Sequence, residues 1–180
     1  QGRCIEPILE RWLAHALLQR KPPRSITPRD FGEEFIAQAV QWAKQMDRSL
    51  HDLLCTATHF VARATVDAMR RWVPWTPQRV LVSGGGVRNG FLWRLLEQQL
   101  APTPLEKIDA CGIPCEARKA VAFAALAALT MDAVPGNLPS VTGASGSRLL
   151  GSITPGNPAN WSSCLAWMAR QATVPRLAAA

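Results

Sequence analysis

A chain of 180 residues is long enough for one ordinary domain, and its composition, 48% hydrophobic and 18% charged without a biased tract, excludes a disordered protein. No apolar run reaches the ~20 residues that span a bilayer, and the first residues lack the pattern of a signal peptide, which points away from a membrane. The net charge of +7 raises the question of nucleic acid, but the basic residues are scattered, densest at Arg20-Lys21 and Arg70-Arg71, with no stripe interleaved with aromatics. A solvated basic surface is the expectation.

Ile5, Ile8, Leu9, Trp12, Leu13, Ala16 and Leu17 fall at helical spacing and predict one helix from Ile5 to Leu17, ended by Pro22 and Pro23. A loop from Lys21 to Asp30 leads to a second helix with Phe35, Ile36, Ala39, Val40, Ala43 and Met46 on its inner face. Ser49 caps a third helix, with Asp52 completing a capping box. Its expected buried residues are Leu53, Leu54, Ala57, Phe60, Val61, Ala64, Ala68 and Trp72.

Beyond Pro74 and Pro77 the texture changes. Arg79 to Ser83 reads as a buried strand, three glycines (Gly84 to Gly86) follow, and Phe91 to Leu100 is a helix. Leu105 to Ile108 is a second expected strand. Glu116 to Met131 is apolar on nearly every side, which predicts burial between layers. Pro135 to Ser147 reads as an ordered loop, Leu149 to Ile153 as a short strand, and Trp161 to Arg170 as a weak helix before a frayed end. Strand, helix, strand, helix order implies an α/β layer with extra helices in front.

Five cysteines at irregular spacing make no disulfide framework and fit a reducing compartment, the cytoplasm. Cys111 and Cys115 lie four apart without a second ligand pair, so both read as buried small apolar residues and no metal site is expected. His15, His51 and His59 lie on the expected helices without metal or triad spacing, and Ser83 sits in no G-x-S-x-G elbow. The tryptophans read as packing residues, although Trp93 follows the glycines closely enough to approach a base.

The chemistry is carried by strand, glycine turn and helix. Glycine lets a chain turn sharply and lie flat on a ligand, and a helix start offers unpaired N–H groups. Two nucleotide readings compete. A dinucleotide-binding domain wants G-x-G-x-x-G and an acid at the tip of the next strand; Gly84, Gly86 and Asp109 fit, but Asn89 holds the third glycine's place. The other reading is the adenosine-binding turn of the actin-like and sugar-kinase superfamily. A P-loop is excluded, because no G-x-x-x-x-G-K-[ST] occurs.

KPPRSITPRDFG (Lys21 to Gly32), VLVSGGGVRNGFLWRLLE (Val80 to Glu97), DACGIPCEARKAVAFAALA (Asp109 to Ala127), PGNLPSVTGAS (Pro135 to Ser145) and LLGSITPGNP (Leu149 to Pro158) occur in that order. Together they resemble the anhydro-N-acetylmuramic acid kinase family, from about Gly2 to Pro158. The resemblance implies an RNase H-like (actin-like ATPase) C-terminal lobe: a short mixed sheet flanked by helices with an added N-terminal helical segment. It divides the chain into a helical segment (1–75), a nucleotide-side α/β lobe (76–158) and a C-terminal helix with a tail (159–180). It further implies ATP-dependent cleavage and O6 phosphorylation of the 1,6-anhydro sugar, in a cleft between two lobes.

Family members are roughly twice this length, and their catalytic aspartate and phosphate loops precede anything here. Gln1 is not an initiator methionine, so the sequence reads as a piece of a longer chain. Catalytic residues are therefore expected in the missing N-terminal half, and Mg²⁺ would bind only with that half present. By resemblance Ser83, Gly84, Gly85, Gly86 and Asn89 line adenine and ribose, while Asp109, Glu116 and Lys119 approach the substrate cleft. The sequence departs from the family where an acid is expected to face the sugar: Lys119 stands there, a cation that only donates. Arg24-Ser25-Ile26-Thr27-Pro28-Arg29 likewise keeps only the serine of a Lys-Ser-Thr-Gly-Arg-Glu stretch. The implied partners are ATP, the sugar, the N-terminal lobe and a second copy in a homodimer. A degenerate, non-catalytic binding module is the alternative that Lys119 favours.

Overall fold

The computed structural model describes residues 2–27, 29–154 and 156–171. The chain enters as an extended segment laid along one long helix, and the reason is a set of hydrogen bonds from that helix's first turns. Arg3 N–H donates to Asp52 Oδ1 at 2.6 Å, and Ile5 N–H donates to Thr56 Oγ1 at 2.8 Å. Gly2 lies so close that a Cβ there would meet the His51 carbonyl oxygen at 2.0 Å.

Helix α1 (Glu6–Leu13) follows, with proline in its first turn, Glu6 at its positive end and Arg11 at its negative end. It buries Ile8, Leu9 and Trp12. The single helix expected to Leu17 is instead broken. His15 takes an extended backbone (ψ 132°), and its Nδ1 accepts the Leu17 N–H, which starts a separate turn α2 (Ala16–Gln19). Arg24 closes that turn by donating to the Leu17, Leu18 and Arg20 carbonyl oxygens.

Helix α3 (Glu33–Gln45) buries Ala39 and Ala43, with Phe35 and Val40 packed beside them. Ile36 and Met46, expected inside, are exposed at 57% and 41%. Helix α4 (Leu50–Trp72) starts in the anticipated capping box. The Ser49 hydroxyl accepts the Asp52 N–H, and Asp52 Oδ2 accepts the Ser49 N–H and O–H. Leu53 is buried as expected, but Leu54 and Val61 face outward while Thr56, Ala62 and Val66 take the interior.

Strands β1 (Val80–Val82) and β2 (Leu105–Lys107) pair in parallel, Val80 opposite Leu105 and Val82 opposite Lys107, with helix α5 (Gly90–Leu100) as the crossover. The sheet is parallel rather than mixed, and Leu149 to Ile153 forms no strand in it. Helix α6 (Arg118–Met131) begins two residues later than expected and ends with Ala133 in the left-handed region (φ 55°). The expected loop carries one short helix, α7 (Pro139–Thr142), and α8 (Pro158–Gln171) follows. The frayed end expected beyond α8 lies outside the described residues.

Among the described residues two apolar clusters form. Ile5, Ile8 and Trp12 meet Ala39, Ala43 and Leu53, ringed by Phe35, Trp42, Ala57 and Phe60. Trp12 sits 5.1 Å from the Phe35 ring and 5.4 Å from Phe60, at the spacing favourable for aromatic pairs. The second cluster joins Ala62 and Val66 of α4 to Leu95, Leu96 and Leu105, with Val80 and Val82 against it. Helix α6 enters neither. None of its residues is buried and Phe123 is 71% exposed, so its expected burial between layers is not found in this chain. The helix is apolar as expected, but no described element buries it.

The Thr56 hydroxyl both accepts from Ile5 and donates to the Asp52 carbonyl at 2.7 Å, with the residue fully buried. Thr56→Val keeps the shape and leaves the Ile5 N–H unpaired, which should lower unfolding free energy by about 1–3 kcal/mol in denaturant titrations. Thr56→Ser, which keeps the hydroxyl, should lose less. A Thr56→Val variant as stable as the parent removes this pin from the account.

Asp52 adds a pH dependence. The Arg3 N–H, then the Ser49 hydroxyl and N–H, hold its carboxyl down to about 2, below the ordinary value near 3.9. A depressed carboxyl stabilises the fold above its unfolded value and loses that contribution as pH falls towards 2. The melting-temperature gap between parent and Asp52→Asn should therefore close between pH 5 and pH 2, and a constant gap refutes it.

Candidate functional site

Because the strands are parallel, the segments leaving β1 and β2 emerge side by side at one edge of the sheet. This is where open α/β sheets hold ligands. The structure thus brings together the two groups of residues singled out in the sequence, Ser83 to Asn89 and Asp109 to Glu116.

Ser83 leaves the strand half-buried, and Gly84 takes φ 87° and ψ −175°, a region essentially closed to residues with a side chain. A 3₁₀ turn, Gly85–Arg88, follows, held by the Val87 N–H on the Gly84 carbonyl at 3.3 Å and the Asn89 N–H on Gly86 at 3.1 Å. Gly85 and Gly86 are exposed, and a Cβ built on Gly84 or Gly85 would meet nothing within 4 Å. The turn therefore presents bare backbone to open space. Asn89 is not left-handed (φ −81°) but caps α5: its Oδ1 accepts the Phe91 N–H at 3.1 Å and the Leu92 N–H at 3.0 Å. Its oxygen is committed there, and the NH₂ group is what remains for a ligand.

After β2, residues Ile108–Cys111 form a second 3₁₀ turn, closed by Gly112 at φ 78°. Asp109 is exposed, and Cys115 folds back beneath it. The Cys115 thiol lies 2.6 Å from Asp109 Oδ2 and 3.7 Å from the Val82 carbonyl oxygen. The pair shift each other: the thiol's hydrogen bond lowers the Asp109 carboxyl, and the carboxylate, followed by burial, raises the thiol. A second link crosses the same gap, where Arg88 Nη2 pairs with Glu116 Oε1. Both side chains are exposed, so this pair contributes little to stability. Lys119 is exposed in the first turn of α6. Lys107, at the end of β2, places its ammonium 6.0 Å from the Trp93 ring centre.

Arg88 and Cys115 are the residues the sequence reading missed. The sequence predicts buried small apolar residues at Cys111 and Cys115; Cys115 is buried but polar in its contacts, and Cys111 is exposed. Their signal was position, since each follows a glycine-containing turn at the same sheet edge. Among the described residues no three His, Cys, Asp or Glu side chains gather to hold a metal ion. His15 caps α2 against Phe31 at 4.8 Å, and His59 lies 5.4 Å from Phe91. No described helix is long and apolar enough to cross a membrane.

Comparison with known proteins covers both turns. The family model described as anhydro-N-acetylmuramic acid kinase matches residues 1–156. A protein of that name from Acaryochloris marina is 37% identical over 153 residues, covering 85% of this chain and 40% of the relative. One from Synechococcus elongatus is 40% identical over 154 residues, with 84% and 40% covered. One from Gloeobacter violaceus is 36% identical over 156 residues, with 86% and 40% covered. The chain spans about 40% of the length of these curated relatives. With the match running through the glycine turn, the Asp109 segment and the loop before α8, the chain belongs to the anhydro-N-acetylmuramic acid kinase family.

Proposed function

We propose that this chain is the C-terminal, adenosine-binding part of an ATP-dependent kinase that hydrolyses and 6-phosphorylates 1,6-anhydro-N-acetylmuramic acid in cell-wall recycling. The observation that carries the reading is the Gly84 turn: bare backbone, open on its outer face, between the end of a parallel strand and the capped start of α5. Such a turn accepts a ligand at van der Waals distance, and the helix start favours a polar or anionic group beside it.

In this reading Ser83, Gly84, Gly85, Gly86 and Asn89 hold adenine and ribose. The Asn89 NH₂ donates to a ribose hydroxyl, and the flat glycines pass beneath the nucleoside. Asp109, Glu116 and Lys119 edge the substrate cleft. Phosphoryl transfer requires Mg²⁺ and donors around the γ-phosphate. By the resemblance, and because the chain spans about 40% of the length of its relatives, we assign Mg²⁺ and the catalytic groups to the part of those relatives that lies outside it. We further read residues 76–158 as the nucleotide-side lobe of an RNase H-like fold, 1–75 as a helical segment packed on it, and 159–180 as a C-terminal helix and tail. The N-terminal lobe is its partner, a homodimer its assembly, and the cytoplasm its compartment.

Two other readings rest on particular residues. An exposed Lys119 in the place of a sugar-facing acid favours a degenerate binding module, and Asp109 at the tip of β2 favours a dinucleotide site. ADP and NAD titrations separate the dinucleotide reading from the first. Calorimetry on the 180-residue chain should show ADP binding in preference to NAD, lost in Gly85→Val. A Cβ at Gly85 meets no protein atom, so that variant should melt with the parent. Equal ADP affinity in parent and variant would remove the turn from the site.

The same chain should show no turnover in a coupled ADP-release assay with Mg-ATP and the anhydro sugar. Turnover above background would place the transfer chemistry inside these residues and overturn the division of labour.

A further inference from the structure

Among the described residues Cys115 is the buried titratable side chain at this sheet edge, and the glycine turn does not use it. It is held by three independent placements. The 3₁₀ turn Ile108–Cys111 and the left-handed Gly112 reverse the chain after β2. The reversal returns Cys115 beneath Asp109, where its thiol meets Oδ2. Its sulfur also faces the carbonyl of Val82, the last residue of β1 and the neighbour of Ser83. One side chain thus connects the ends of both strands, and it leaves Asp109 Oδ1 without a bond from this thiol, on an exposed residue.

We infer that Cys115 is a positioning residue: its thiol fixes the Asp109 carboxylate against the C-terminal end of β1, so that Oδ1, the oxygen the thiol does not engage, accepts the hydroxyls of a ribose lying on the glycine turn. The inference rests on the nucleotide reading above and extends it: Asp109, placed there at the edge of the cleft, also reaches the ribose, a contact the dinucleotide reading shares and the NAD titration separates. A carboxylate accepts and never donates, so it distinguishes a ribose diol from a sugar that lacks hydroxyls. A fixed carboxylate distinguishes better than a mobile one, because it loses less rotamer freedom when the hydroxyls arrive. The thiol donates to the Asp109 carboxylate first, the backbone N–H groups of Asp109 and Cys115 add to it, and Lys107 on β2 also favours its ionised form. Across the gap, Arg88 is occupied by Glu116.

The test compares ADP with 2′,3′-dideoxy-ADP by calorimetry on the 180-residue chain, together with carboxyl carbon NMR of Asp109 against pH. The parent should prefer ADP by about tenfold, the size of one hydrogen bond to a charged group. Cys115→Ala should lower that preference severalfold, leaving the part that the Asn89 donor supplies, and raise the Asp109 titration towards the ordinary carboxylate range. Cys115→Ser, which restores a donor of similar size, should recover much of both. Undiminished preference in Cys115→Ala, with ADP still bound, overturns the inference and leaves the nucleotide reading standing. An Asp109 titration unmoved by Cys115→Ala overturns it as well, independently of any nucleotide. Failure of the parent to bind ADP defeats the nucleotide reading itself, and the ribose role of Asp109 with it.

Discussion

Both apolar clusters of the described residues hang on α4. At 23 residues and 1.5 Å per residue it is about 35 Å long, and its two halves serve different cores. Leu53 and Thr56 near its start hold α1, α3 and the entering segment; Ala62 and Val66 near its middle carry α5 and the sheet. Ala62 and Val66 are fully buried and small, which lets the backbone of α4 approach α5 closely. A two-stranded sheet is marginal alone. Here it exists because one helix supplies its floor, and whatever loosens the capping box at Ser49 weakens that support at its root.

Much of this was legible because local chemistry and global packing agree. Ser49 with Asp52 announces a helix start wherever it occurs, and the glycines after a β-branched run announce a turn with strand and helix on either side. The failures have physical causes. Apolar spacing runs unbroken from Ile5 to Leu17, and nothing in periodicity reveals that the His15 imidazole outcompetes the helix for the Leu17 N–H. Thr56 reads as a surface residue until a partner donor 51 positions away in sequence is known. Val61 is the more hydrophobic of two neighbours, but Ala62 is the one that packs against α5. Helix α6 shows the deepest limit, since periodicity reports what a helix is made of and not whether this chain contains its partner.

For the site, sequence gave residue types and the fold gave adjacency. Gly84 needs its glycine for a backbone reason that the sequence pattern implied. Asn89 shows how a residue with two polar groups divides them, oxygen to the helix start and NH₂ to whatever arrives. The Asp109–Cys115 contact lies six residues apart in sequence yet required the left-handed Gly112 to exist. Both turns matter together only because the strands are parallel; an antiparallel pair would have sent them to opposite edges.

The bare surface of α6 also governs how copies of this chain behave towards one another. Phe123 and Val121 stand in water on a helix with little polar cover, and Leu138, Val141 and Trp167 are exposed on the elements that follow. Apolar area of this kind draws molecules together, while a net charge of +7 drives them apart. The two forces respond oppositely to salt. At an ionic strength near 0.01 M the repulsion reaches about 30 Å, and at 1 M only about 3 Å, while sulfate or phosphate strengthens the apolar attraction. Colloidal stability of the chain is therefore set by its buffer as much as by its fold: dilute salt keeps the molecules dispersed, and concentrated sulfate drives them out of solution through α6.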